Sequence, residues 1–288
     1  MYVKVRFFLL EKLNSISLCS LGVITLRDFT LSIYKELLEA ICASAYSTTN
    51  VRNYLQQAPE GKCIILRHDV DRSVERNLKM ARLEHEFGIS STYYFRHVKD
   101  VFIPDAIKEV AELGHEVGFH YEVMDKAKGN KEKALEIFKN ELGDLRRYAD
   151  VSTACMHGNP LVSWSNRDLW ADYDFREFGI IGEPYFSLDY SQVLYLTDTG
   201  RTWADRNIRV KDVLDSPQDS MNTRLTQDVR STDDVICLIR GEEFRQICIL
   251  AHPNRWCDGM YGWTKELVMQ NVKNIGKAGI IWYRKTVG

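Results

Sequence analysis

Cys63-Ile64-Ile65-Leu66-Arg67-His68-Asp69-Val70-Asp71-Arg72 is the stretch on which the fold is decided. Its first four residues are apolar without alternation, the signature of a strand covered on both faces. Charged residues follow at once, so the strand ends in side chains with chemistry. A helical pattern then runs over residues 74–87 and closes at Gly88. A doubly covered strand followed by an amphipathic helix is one unit of a parallel α/β sheet.

Working outward, the same unit recurs. Strands are expected at residues 91–95, 117–121, 152–156, 193–197 and 246–251, with a first strand at 23–30 and a closing one at 279–283. Helices are expected at 32–45, where Ile33, Leu37, Leu38 and Ile41 share a face, at 104–113 behind Pro104, at 131–148 and at 264–277. Residues 158–192 break the rhythm and read as an elaborated loop rich in Trp, Tyr, Phe and Gly. Neither G-x-G-x-x-G nor G-x-x-x-x-G-K-[ST] occurs, and polar residues follow several different strands instead of gathering at one switch point. The expected architecture is therefore an irregular (β/α) barrel of about seven parallel strands, occupying residues 24–288 as one domain behind a 1–23 extension.

The 288 residues carry 40 acidic and 38 basic side chains, so no cationic excess is available to neutralise nucleic-acid phosphates. A small-molecule or saccharide substrate suits this charge, and the composition allows a homo-oligomer. Glu11 and Lys12 split the apolar N-terminal stretch, which argues against a signal peptide and against a membrane span. Seven cysteines without any C-x-x-C pair read as reduced packing thiols of a cytoplasmic protein.

Asp69 and Asp71 stand at i and i+2, so both project to one side of an extended chain. Two close carboxylates repel unless a cation sits between them, and a divalent metal would leave one as ligand and the other as base. In Gly114-His115-Glu116-Val117-Gly118-Phe119-His120-Tyr121-Glu122, alternation gives His120 and Glu122 a common face and Phe119 and Tyr121 the other. His120 is a candidate metal ligand, whereas His115, at the far end of the strand, is structural. His157, in Met156-His157-Gly158-Asn159-Pro160, is a candidate for metal or substrate. His252, in Ala251-His252-Pro253, is a candidate general acid. Arg67, Glu122, Asn159, Trp164 and Trp256 complete the expected site as substrate contacts.

The set Arg67-His68-Asp69-Val70-Asp71, Gly114 to His120, and Ile249-Leu250-Ala251-His252-Pro253 resembles the polysaccharide deacetylase superfamily, carbohydrate esterase family 4, from about Leu26 to the C-terminus. The similarity is greatest to an intracellular branch whose first motif reads HDVD. The resemblance implies that Asp69 is the catalytic base, Asp71 and His120 are metal ligands, and His252 is the catalytic acid. The family's second metal histidine would fall at Met124, a poor ligand for a hard cation. Either His157 or Glu122 completes the site, and zinc is the expected ion. The implied function is a metal-dependent hydrolase of C–N bonds that deacetylates an N-acetylated sugar or glycoconjugate. A cyclic amide hydrolase of the same superfamily and a non-catalytic carbohydrate-binding barrel are the alternatives.

Overall fold

The structure, a computed structural model, describes residues 28–203 and 229–287, with side chains described as far as residue 279. Seven parallel strands form the sheet: β1 (Ser47–Thr49), β2 (Cys63–Val70), β3 (Thr92–Phe95), β4 (Glu116–Tyr121), β5 (Ala154–Met156), β6 (Val193–Thr197) and β7 (Gln246–Ala251). Their order is β5-β4-β3-β2-β7-β6, curled into an irregular barrel wall. β1 pairs with the first residues of β2, Ser47 opposite Cys63, and β3 pairs with the last, Arg67 opposite Thr92. Both therefore use one edge of β2, while β7 covers the other from Cys63 to His68. Beyond β5, residues 181 and 182 continue the hydrogen bonding, with Ile181 N–H donating to Ser152 O at 2.8 Å.

Helices α1 (Leu31–Cys42), α2 (Val51–Gln57), α3 (Val74–Glu86), α4 (Pro104–Glu112), α5 (Val123–Lys126), α6 (Lys131–Leu145), α7 (Pro184–Ser187), α8 (Thr232–Gly241) and α9 (Met260–Val287) complete the chain order. The outer faces of β2, β6 and β7 bury Ile64, Leu66, Leu194, Leu196, Ile247 and Ile249 against α1 and α8. On β4, Phe119 and Tyr121 pack on Phe138 of α6. Gly118 leaves the inner face open to a neighbour: a Cβ there would lie 2.4 Å from the Tyr94 ring, too close for any larger residue without displacing it.

Two expectations change. Most of the first strand, 23–30, lies outside the described residues, and residues 28–30 form a bend in which the Thr30 side chain caps α1. The strand beside the start of β2 is instead β1, too short and too polar (Ser47-Thr48-Thr49) to show a pattern. The closing strand at 279–283 is part of α9. A short apolar run has no period that separates strand from helix, and no proline or cap interrupts the helix before it. In the irregular segment, Trp170 packs among Tyr121, Phe138, Phe175 and Phe178, so much of its aromatic content is a hydrophobic cluster beneath the loop.

His68 lies on the other face of β2. It alternates with Arg67 and Asp69, so it points away from the barrel interior, toward α3. There its Nε2 donates to Glu84 at 2.7 Å, and the same carboxylate accepts from Ser91 at 2.5 Å, Tyr93 at 2.6 Å and Tyr34. His115 completes the cluster, accepting from Ser91 N–H at 3.2 Å and donating to Ala81 O at 2.9 Å, a structural placement. Burial alone would raise the Glu84 carboxyl, but His68 and the hydroxyl donors outweigh it and bring it down to about 2.

A folded-state value below the ordinary 4.5 stabilises the protein above pH 4.5, and that contribution is lost as pH falls toward 2. Glu84→Gln is expected to lower stability at neutral pH by about 3 kcal/mol, with the deficit shrinking below pH 4.5. Urea unfolding of both proteins across pH tests this; a deficit that does not vary with pH would contradict it.

Candidate active site

The inner face at the C-terminal ends of the strands collects the ionisable residues. Arg67 and Asp69 come from β2, His120 from β4, and Asp71, Glu122, His157 and His252 from the first residues after their strands. His157 is aligned by its own backbone, whose N–H donates to Tyr121 O at 2.8 Å and extends the β4–β5 pairing by one step.

Asp71 Oδ1 lies 3.6 Å from His120 Nε2 and 3.5 Å from His157 Nε2. One donor atom from each residue falls within a 4.8 Å cluster, a set able to hold a metal ion. His120 Nδ1–H donates to Cys155 O at 3.0 Å, which turns Nε2 toward Asp71. Asp71 Oδ1 is buried and without a hydrogen-bond partner among the described residues. Burial presses the Asp71 carboxyl up, yet His120, His157 and His252 hold it well below the usual carboxylate range. Burial, with the nearby His120 and Arg96, pushes His157 down to about 4, so its imidazole is neutral at physiological pH. An ionised carboxylate and imidazole nitrogens are a zinc-type donor set.

Asp69, His120 and Cys155 form a second such cluster. Here the Arg67 guanidinium already occupies the donors: Nη2 reaches the Asp69 oxygens at 3.2 and 3.3 Å and Cys155 Sγ at 3.1 Å. The Asp71 cluster is thus the better cation site, and Asp69 is left beside it, 3.8 Å from His120 Nε2. Met124 packs into the core on α5, and the third donor comes instead from the end of the neighbouring strand, as His157.

Two residues assigned to substrate contact are placed elsewhere. Arg67 is wholly buried beneath Asp69, between the rings of Tyr94 and Tyr185, where it braces the carboxylate. Trp256 is wholly buried as well, among Phe29, Tyr34 and Trp203. The other three stay near the mouth. Glu122 is buried beside His157, Asn159 is half-buried in the following turn, and Trp164 is half-buried with its Nε1–H donated to Asp125 at 2.9 Å. His97 faces away from the cluster and pairs with Glu141 and Asp144.

Asp198, directly after β6, was not singled out from the sequence. Its carboxylate accepts from His252 Nδ1–H at 2.6 Å, Arg255 at 2.7 Å and Trp256 Nε1–H at 2.8 Å. Burial opposes its charge, but Arg255 and His252 keep it below its ordinary range. The arrangement fixes the tautomer of His252 with Nε2 outward. The only sequence signal was an acid at the end of a strand, Leu196-Thr197-Asp198, with no second acid or histidine beside it.

The described residues contain no helix long and apolar enough to cross a membrane. Cys42, Cys63, Cys155, Cys248 and Cys257 form no disulfide, whereas Cys237 is disulfide-bonded, a correction to the reading of seven reduced thiols. No protein family, curated protein or solved structure matches the chain.

Asp198→Ala would leave the His252 Nδ1–H and the Trp256 indole without their acceptor and Arg255 without its counter-charge in a buried site, and is expected to destabilise the fold by about 3–5 kcal/mol. Asp198→Asn, which keeps shape and part of the hydrogen bonding, is expected to cost less. Denaturant unfolding of the two variants ranks them; equal, near-zero losses would contradict this reading.

Proposed function

We propose that the chain is a metal-dependent hydrolase of C–N (amide) bonds that deacetylates an N-acetylated sugar or glycoconjugate. The observation carrying this reading is the convergence of Asp71, His120 and His157 beside a second carboxylate, Asp69, that is braced by Arg67. Asp71 Oδ1, His120 Nε2 and His157 Nε2 would hold the ion. When bound, a divalent metal, zinc by donor type, supplies a Lewis acid that polarises a carbonyl and acidifies water.

The protein's own groups perform the proton transfers. Asp69 takes a proton from the attacking water, and Arg67 keeps its carboxylate aimed at the mouth. His252 delivers a proton to the departing amine nitrogen. Asp198, which accepts from its Nδ1–H, holds the ring in place for that transfer. Asn159 and Trp164, in the loop that follows His157, offer hydrogen bonds and a ring face to a saccharide.

A cytoplasmic setting belongs to this reading through the five cysteines that form no disulfide, while the Cys237 disulfide favours an oxidising compartment. Thiol titration of protein isolated under alkylating conditions decides between them.

Purified protein is expected to hold about one zinc ion per chain, to lose it in Asp71→Ala, and to release acetate from N-acetylglucosamine oligomers. Asp69→Asn and His252→Ala are each expected to keep the ion and lower kcat by about 10²–10⁴-fold. Absence of stoichiometric metal from the wild type would remove the metal-dependent reading. Saccharide binding without acetate release, unchanged in Asp69→Asn, would favour a carbohydrate-binding barrel.

A further inference from the structure

Arg96 follows β3 directly, and β3 lies between β2 and β4 in the sheet. Its guanidinium spans the ends of both neighbours. Nη1 donates to the backbone carbonyl of Asp71 at 3.3 Å, and Nη2 donates to Glu122 Oε2 at 2.5 Å. That same Glu122 oxygen is 3.6 Å from His157 Nδ1. One arginine thus ties the segment after β2 to the segment after β4, and through Glu122 faces the histidine delivered by β5.

Glu122, Asp125 and His157 also have donor atoms within 4.8 Å of one another, which raises a second cation as an alternative. The charges decide against it. Arg96 and Lys126, the latter 3.6 Å from Glu122 Oε1, already surround the Glu122 carboxylate with positive charge. Asp125 is committed to hydrogen bonds from Trp164 at 2.9 Å and Asn166 at 3.2 Å. A further cation would have to displace a guanidinium.

The geometry points to Arg96 and Glu122 as a positioning pair for the metal site: Glu122 sets the His157 tautomer with its proton on Nδ1, and Arg96 holds Glu122 and Asp71 in register. This rests on the metal-site reading above and adds residues that touch neither ion nor substrate. The carboxylate beside Nδ1 selects the tautomer whose Nε2 lone pair faces Asp71, and a carboxylate partner also raises the basicity of that nitrogen. Because guanidinium is planar and two-armed, it meets a carbonyl and a carboxylate at once; an ammonium on a flexible stem does not hold both in a fixed geometry.

Zinc titration by calorimetry, with the cobalt(II) absorption spectrum as a second readout, tests the pair on the full chain. Arg96→Ala and Glu122→Ala are each expected to weaken zinc binding by about 10- to 100-fold. Arg96→Lys and Glu122→Gln, which are gentler on folding, are expected to lose less, and the loss in Arg96→Ala/Glu122→Ala to fall short of the product of the single losses because the two act as a unit. Histidine nitrogen NMR is expected to show His157 protonated at Nδ1 in the wild type and redistributed toward Nε2 in Glu122→Gln. Lys131→Ala, which breaks a remote surface pair with Asp172, is the control and should bind as the wild type does. Folded variants that bind zinc as tightly as the wild type, with an unchanged His157 tautomer, would overturn the inference. A wild type that binds no zinc would instead overturn the metal site itself.

Discussion

β2 carries charged or titratable side chains on both of its buried faces, and the surrounding structure is built to compensate them. Arg67 and Asp69 turn inward and neutralise each other at 3.2 Å, while His68 turns outward and meets Glu84 at 2.7 Å. Unpaired, any of these groups would be expensive to bury. The outward pair explains why α3 packs where it does, since Glu84 must reach β2 while Tyr34 of α1 and Tyr93 of β3 close around it. The inward pair explains why Asp69 stands ready at the mouth. A slip of β2 by one residue would exchange the two sets and leave both without partners.

The site follows from that register by parallel pairing alone. Neighbouring parallel strands end at one rim, so residues far apart in the chain meet there. Asp71, His120 and His157 are brought together by the ends of β2, β4 and β5, with β3 between the first two, and His252 follows β7 on the other side of β2. Around the rim each functional group has its own support: Arg67 under Asp69, Cys155 O behind His120, Asp198 behind His252, Arg96 behind Glu122 and Asp71. Such partners restrict each side chain to one orientation, so the cluster is held in a fixed arrangement.

Much of this was legible in the amino-acid order. Cys63 to Leu66 announced a doubly buried strand, the spacing of Asp69 and Asp71 placed two carboxylates on one side, and alternation separated His120 from Phe119 and Tyr121. Strands 193–197 and 246–251 have the bounds expected of them. Signals that depend on regular period were read well, and those without one were not. Ser47-Thr48-Thr49 is a strand because an edge of β2 accepts it, and residues 279–283 are helical because α9 continues through them.

What the sequence determined by itself was the parallel α/β rhythm and the shared side of Asp69 and Asp71 and of His120 and Glu122, because hydrophobic period and i, i+2 alternation are local properties of the chain. Only the tertiary structure decided that His157 joins Asp71 and His120 where Met124 does not, that Arg67 and Trp256 support the site from below, and that Asp198 orients His252. These depend on which strands become neighbours and on how far each extends past its partner. That is settled by packing between segments widely separated in the chain, and no local pattern records it.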